Sequence, residues 1–248
     1  MTIKKLQLSL ITTLILSTSL AMAGTMGVEA PPVRAFGEAS FSAGYFGARV
    51  GKVQHINIVS LVGNRYTLDK KTTDNFLIGL GYLVHGREYS RFNLDYGIKA
   101  FYLADTHVRG TIVQEDLFTN LSYRYSVSHV PIYAMARATV NNASQNLALT
   151  LDAGIGPNVL TTHDYYENAL DNYTLPDNAF HNHTQAEFSA TAGVGVKFNN
   201  LFDSASIELG YRFFYLGQGN FRSANNQILN RLVTKDVYAN AVVLTVAF

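Results

Sequence analysis

Four side chains near the middle of the chain have the chemistry to bind a metal ion or to move a proton. His163 and Asp164 come before a long polar stretch, and His181 and His183 come after it. Imidazole and carboxylate groups are common zinc ligands, and His183 beside an acidic partner would be a candidate general base. Their spacing matches no established ligand motif, so we interpret them as members of a solvated polar loop. The sequence therefore predicts no catalytic residue, no metal site and no cofactor.

A second set contains charged residues of both signs that recur on the polar faces of alternating segments. Scattered over a solvated surface, such charges need no partners, and that alternative stays open. Inside a narrow barrel they must pair, because an isolated buried ion is costly. We predict a charge network that plugs the lumen with side chains. Its members are Asp95, Lys99, Asp116, Arg124, Arg137, Asp152, Glu187, Lys197, Glu208 and Arg212.

Both sets need elements that hold them in place, and the residue pattern indicates strands. In "NFLIGLGYLV", Phe76, Ile78, Leu80 and Tyr82 share one face, whereas Asn75 lies on the other. A period of two is typical of β-strands. The chain also has 15 Tyr and 15 Phe with 19 Gly and only 5 Pro, a mixture that suits strands joined by turns. The sequence predicts an all-β fold.

Strands with one apolar and one polar face occur in two solvents. A soluble sandwich or barrel buries the apolar face, whereas a transmembrane barrel turns it toward lipid. The segments exceed the roughly 5 to 6 residues usual in soluble sheets and match the roughly 9 to 11 that cross a bilayer. We therefore predict that the apolar faces contact lipid and the polar faces line the lumen.

This choice fixes which side chains face outward. In "EDLFTNLSYRYSV" we expect the lipid-facing row to be Leu117, Leu121, Tyr123, Tyr125 and Val127, with Asp116 and Arg124 in the lumen. Amphipathic rings near strand ends belong at the headgroup level of a membrane. We assign Tyr102, Tyr123, Tyr125, Tyr215 and Tyr238 to that level.

The beginning of the chain and its composition limit the function further. Lys4 and Lys5, an apolar stretch and then Ala21-Met22-Ala23 predict a cleaved signal peptide over residues 1–23. A flexible segment over residues 24–37 would follow. There is no cysteine, which excludes disulfides and Cys-type zinc sites. A formal net charge of +1 gives no reason to expect nucleic acid as a partner.

Several short motifs occur in a familiar order: "AGYFGARVG", "GLGY", "DAGIGP", "AGVGVKF", "LGYRFFYLG" and a final Phe248. In this order they resemble the small opacity-type outer-membrane β-barrel family of Gram-negative bacteria, over roughly residues 38–248. The resemblance implies a closed antiparallel up-and-down transmembrane barrel with long surface loops and short periplasmic turns. It also implies that the last strand is the signal read by the barrel-assembly machinery, through Tyr238, Val242, Leu244, Val246 and Phe248.

The segments predict eight to ten strands, and we favour ten, with residues 54–63 as a separate strand. Counting back from the last strand places residues 217–233 and 161–183 in surface loops and residues 199–204 in a periplasmic turn. We expect the two surface loops to contact host-surface or envelope molecules. A narrow pore for small solutes and a hydrolase at the barrel rim remain the alternatives.

Overall fold

The computed structural model describes residues 37–69, 72–141, 147–202 and 205–248. The predicted signal peptide, residues 1–23, lies outside these ranges, as does all of the predicted flexible segment except Gly37. Among the described residues, no helix is long and apolar enough to cross a membrane. The strands are β1 (Gly37–Arg49), β2 (Gln54–Ile56), β3 (Asn64–Tyr66), β4 (Thr73–Glu88), β5 (Phe92–Gln114), β6 (Phe118–Asn141), β7 (Leu147–Ala169), β8 (Phe180–His181), β9 (His183–Phe202), β10 (Ala205–Tyr215), β11 (Arg222–Ser223) and β12 (Tyr238–Ala247).

The long strands form a closed ring in the order β1, β4, β5, β6, β7, β9, β10, β12 and back to β1. Every neighbouring pair in this ring is antiparallel. Pairing continues to the last residue, because the N–H of Ala39 donates to the carbonyl of Phe248 at 2.9 Å and the reverse bond measures 3.0 Å. Each ring strand therefore has a hydrogen-bonded neighbour on both sides, as a sheet in lipid requires.

The ring has eight strands, at the lower end of the predicted eight to ten, and the favoured count of ten is corrected. Residues 131–140 are part of β6 and add no separate strand. In the segment 54–63, β2 pairs with β3, which in turn pairs with the upper end of β5. These strands extend the sheet above the ring at the loop end, where β5 and β6 run well past the length that a bilayer needs.

Strand β6 reverses its polarity along its length. In its lower half Val130 and Ile132 point outward and are exposed, while Arg137 points inward and is buried. In its upper half Tyr123 and Tyr125 are the buried inward residues, and Arg124 is exposed on the outside. A barrel wall that is surrounded by water has an apolar interior and a polar exterior. The lower half of β6 therefore lies in the membrane and the upper half above it.

The prediction of a lipid-facing row at the start of β6 was accordingly wrong for Leu121, Tyr123, Tyr125 and Val127. These side chains are almost fully buried inside the barrel. The period of two was right, but the solvent was misassigned because both solvents produce the same alternation. Of the tyrosines assigned to the headgroup level, Tyr102 and Tyr238 do face outward, whereas Tyr123 and Tyr125 do not.

The lower part of the ring carries a continuous outward apolar surface, which we call the lipid belt. In a soluble protein so much exposed apolar area would be unfavourable, whereas in a bilayer it is solvated. The chain is thus an all-β transmembrane barrel of the outer-membrane type. Members of the lipid belt on different strands include Leu80, Ile98, Ile155, Phe188, Leu209 and Val242.

The two ends of the ring differ in the length of their connections. At one end, β4 joins β5 and β9 joins β10 through three residues or fewer. At the other end, residues 50–72, 170–182 and 216–237 form long connections, whereas β5 and β6 join through only three residues. Short turns are periplasmic and long loops extracellular in such barrels. The predicted loop 161–183 begins later than expected, because β7 continues to Ala169.

Candidate functional site

The interior of the lipid-facing part holds a compact group of charged side chains, which we call the ion cluster. Antiparallel register brings Arg137 of β6 opposite Asp152 of β7, and Arg212 of β10 lies two strands further round, on the far side of Gly193 of β9. The Asp152 carboxylate accepts a hydrogen bond from Arg137 at 3.1 Å and two from Arg212 at 2.7 Å. Glu208 forms an ion pair with the other terminal nitrogen of Arg137, with 3.0 Å between Nη1 and Oε2. Lys99 is also buried at this level.

A layer of aromatic rings lies directly beside the ion cluster. The guanidinium carbon of Arg212 is 5.3 Å from the centre of the Phe101 ring. Phe101 contacts Phe214 and Tyr133, with centroid distances of 5.3 and 6.3 Å. The Tyr133 hydroxyl and the Ser189 hydroxyl lie 2.6 Å apart, so the ring is fixed at its polar end. The ions and rings together form a layer of almost fully buried side chains inside the barrel.

Three other predicted members of the lumen network also face the interior but have other partners. Asp95 faces the interior opposite Arg137 and contacts His85 at 3.0 Å. Lys197 forms an ion pair with Glu38 at 2.6 Å near the periplasmic end. Glu187 is half-buried toward the loop end, where it accepts a hydrogen bond from Gln185 at 2.6 Å.

Asp116 and Arg124 do not line the lumen, which corrects their assignment. Asp116 lies in the turn between β5 and β6, where it is half-exposed and pairs with Arg65 at 3.0 Å. Arg124 points outward because the polarity of β6 is reversed above the membrane. Glu38, the second residue of β1, is a member of the interior that the sequence interpretation missed.

Above the membrane, the barrel contains an aromatic core to which the extracellular loops contribute. Phe180 from the 170–182 connection and Phe221 from the 216–237 connection pack on strand tyrosines. Tyr125 lies 5.0 Å from Phe221, and Tyr165 lies 5.3 Å from Phe180, measured between ring centroids. Burial raises the pKa of Tyr125 and of Tyr165 well above the usual tyrosine value. This core is a second buried layer, above the ion cluster.

Buried Glu167 fastens the 170–182 connection to the barrel. Its carboxylate accepts hydrogen bonds from the backbone N–H groups of Asp177 and Asn178 at 3.1 and 3.2 Å, and also from the Tyr165 hydroxyl. Glu167 faces inward because Asp164, with φ of +55°, sits at a register shift between β6 and β7 and changes the alternation. Positive φ in a non-glycine residue at a bulge re-aims the side chains that follow. Nothing in the sequence pattern indicated this anchor.

The outermost part of the molecule displays a group of exposed apolar side chains, which we call the apical patch. A turn held by Asp171, which accepts from the N–H of Tyr173 at 2.9 Å and of Thr174 at 2.6 Å, orders it. The amide of Asn120 on β6 donates to the Thr174 hydroxyl at 3.0 Å and so ties the turn to the wall. The apical patch consists of Leu117, Phe118, Leu170, Tyr173 and Leu175, whose exposures range from 55% to 93%.

The histidines singled out in the sequence do not converge. His163 lies between two carboxylates, 2.9 Å from Asp164 and 3.3 Å from Asp105, on the outer wall of β7. His181 pairs in register with Arg222, and His183 contacts Gln185 at 3.1 Å. Within the described ranges, no group of three His, Cys, Asp or Glu residues could hold a metal ion.

Strand β12 carries the residues of the predicted assembly signal. Tyr238, Val242, Leu244 and Phe248 are exposed on the outer face, and Val246 shares that face but is partly covered. Tyr238 lies against Tyr215 with 5.4 Å between ring centroids. The outward row of β12 is therefore part of the lipid belt.

Comparisons with known proteins add likenesses among solved structures only. No family model matches the chain, and no curated protein sequence matches it. The chain is similar to the outer membrane protein OprG from Pseudomonas aeruginosa, with 12% identity over 86% of this chain and 96% of that one, at a TM-score of 0.47. It is similar to the outer membrane protease OmpT from Escherichia coli, with 9% identity over 86% and 96%, at a TM-score of 0.45. It is also similar to the Neisserial surface protein A, with 11% identity over 86% and 96%, at a TM-score of 0.43.

Proposed function

We propose that the protein is a sealed β-barrel of the Gram-negative outer membrane that binds host-surface or envelope molecules at its extracellular end. The observation that carries this proposal is the apical patch, a set of large apolar side chains held in water by an ordered turn. Soluble surfaces rarely display such groups without a partner. Aromatic and aliphatic anchors of this kind provide most of the binding energy at protein interfaces.

The two buried layers favour surface contact over transport. A solute pore needs a continuous water path, but the ion cluster and the aromatic core are layers of buried side chains at two levels of the interior. The long loops then serve as the accessible part of the molecule. Both predicted contact segments, 161–183 and 217–233, contribute to this end, the first through the apical patch and the second through the aromatic core.

The proposal can be tested by measuring adhesion of bacteria that express the full chain. We expect expression to increase attachment to cultured epithelial cells, attachment of the bacteria to one another, or both. The double variant Tyr173→Ala/Leu175→Ser should lose this gain, whereas Leu229→Ser, which removes an exposed leucine from a different loop, should keep it. The amount of folded protein must be equal in all strains, as judged by mobility on unboiled gels. Adhesion equal to that of non-expressing cells in both assays would rule out the proposal.

We further propose that the outward row of β12, ending at Phe248, is the signal through which the barrel-assembly machinery inserts the chain. Phe248→Ala should lower the folded fraction in cells but leave the purified chain able to refold in lipid vesicles. A normal folded fraction in cells would contradict this role.

A further inference from the structure

The outer wall above the lipid belt holds a pair of arginines that face each other. Arg109 of β5 and Arg124 of β6 are direct register partners, and both side chains are exposed. Like charges directly opposite each other on a sheet are unfavourable. Among the described residues, no carboxylate lies within 4.0 Å of either guanidinium. The pair is thus a concentrated positive charge that no described carboxylate contacts directly.

These arginines line an open cavity of about 500 Å³ on the wall formed by β5, β6 and β7. Arg124 is held over the Tyr166 ring, with its guanidinium carbon 5.4 Å from the ring centre. The hydroxyl of Ser126 lies 2.9 Å from a ring nitrogen of His107 at the cavity wall. Asp164 also lines the cavity, but its carboxylate is engaged by His163 at 2.9 Å. The cavity therefore offers two planar cations, whose geometry suits the oxygens of a phosphate group.

The height of the cavity indicates where such a phosphate comes from. Arg124 lies six residues beyond Val130, the last lipid-facing residue of β6. At about 3.4 Å per residue and a tilt of about 40°, this distance is about 15 Å above the hydrocarbon. The polar zone of a phospholipid extends only about 5 to 7 Å on each side. A phospholipid phosphate is too low, and so is a phosphate on the sugars that carry the acyl chains, whereas a phosphate on the outer sugars of a glycolipid with several sugars reaches this level.

The direction of the cavity favours a molecule anchored in the same membrane. The outer wall faces sideways, so its neighbours are the molecules that stand beside the barrel. The lipid belt lies directly below the cavity on all three strands. From the arginine pair, its height and its direction, we infer that this cavity binds the phosphate of a phosphorylated glycolipid in the surrounding leaflet.

The inference can be tested with the purified full chain in detergent by native mass spectrometry. The probes are a glycolipid with several sugars that carries phosphate on its outer sugars, the same glycolipid without that phosphate, and inorganic phosphate. The test variant is Arg109→Gln/Arg124→Gln. The control is Lys235→Gln, which removes an exposed cation from the loop between β10 and β12. Gel mobility establishes that each variant is folded.

We expect the wild type to prefer the phosphorylated glycolipid by about tenfold or more, as for charge-assisted hydrogen bonds. The double variant should lose this preference, and the Lys235 variant should keep it. Equal retention of the two glycolipids by the wild type, or an unchanged preference in the double variant, would overturn the inference. Inorganic phosphate that competes as well as the glycolipid would overturn the assignment to a membrane source.

Discussion

Replacing Asp152 with asparagine should destabilise the barrel more than any other single change of similar size. Asp152→Asn keeps the shape of the side chain but removes the negative charge that two arginines share. Arg137 and Arg212 would then have only Glu208 as a carboxylate partner within the ion cluster, and Lys99 adds a third buried cation. The perturbation therefore leaves positive charge uncompensated in an interior that excludes water.

The expected loss follows from what such pairs contribute elsewhere. Removing one partner of a buried ion pair costs about 3 to 5 kcal/mol, because the remaining charge stays desolvated. Asp152 serves two guanidiniums, and its side chain is only 2% exposed, so we expect a value in that range rather than below it. Whole proteins are stable by only about 5 to 15 kcal/mol, so the change would remove a substantial share.

Urea unfolding of the chain refolded in lipid vesicles measures this loss. The matched control is Asp236→Asn, which removes an exposed carboxylate and should change the free energy of unfolding by about 0.5 kcal/mol or less. Adding Lys99→Met to Asp152→Asn should restore part of the stability, because one of the unpaired cations is removed. A loss below about 1 kcal/mol for Asp152→Asn would refute the reasoning, since it would mean that water solvates the ion cluster.

Three further outcomes follow from the same structure. Leu244→Arg on the lipid belt should cost about 2 to 4 kcal/mol of unfolding free energy if the residue sits near the bilayer midplane; wild-type stability in vesicles would contradict its outward position. Burial raises the pKa of Tyr125 above its value in the unfolded chain. The contribution of Tyr125 to the free energy of unfolding is therefore complete below about pH 10. It is lost as pH rises further, by about 1.4 kcal/mol per pH unit. Tyr125→Phe should therefore make unfolding less steep above pH 10, and an unchanged slope would show that this ring is not sealed from water. In planar bilayers the folded wild type should give no stable single-channel steps, and reproducible steps would contradict the sealed interior.

The period of two in the sequence was enough to predict an all-β transmembrane barrel, but not where the membrane ends. On β6, Ile132 and Tyr125 are both apolar members of an alternating pattern, yet one faces lipid and the other faces the interior. Alternation reports that the two faces differ, and it does not report which solvent lies outside. The strand continues from one solvent into the other without a turn, so no local signal marks the boundary.

The ion cluster was partly predictable because its members occupy polar faces of strands that ring closure brings together. Arg137 and Asp152 belong to adjacent strands, whereas Arg212 reaches Asp152 over Gly193 of the strand that lies between them. Glu167 could not be found in the same way. Its inward direction depends on the bulge at Asp164, and a one-residue shift in alternation is not visible in residue types.

The most direct test of the account is the position of the membrane boundary on β6. The chain has no cysteine, so single substitutions can carry a spin label without further changes. Ala134 and Arg124 both face outward. A label at Ala134 should collide mainly with oxygen, which concentrates in lipid. A label at Arg124 should collide mainly with a water-soluble relaxation agent. If both labels collided often with oxygen and rarely with the water-soluble agent, the upper barrel wall would lie in lipid, which would contradict the account.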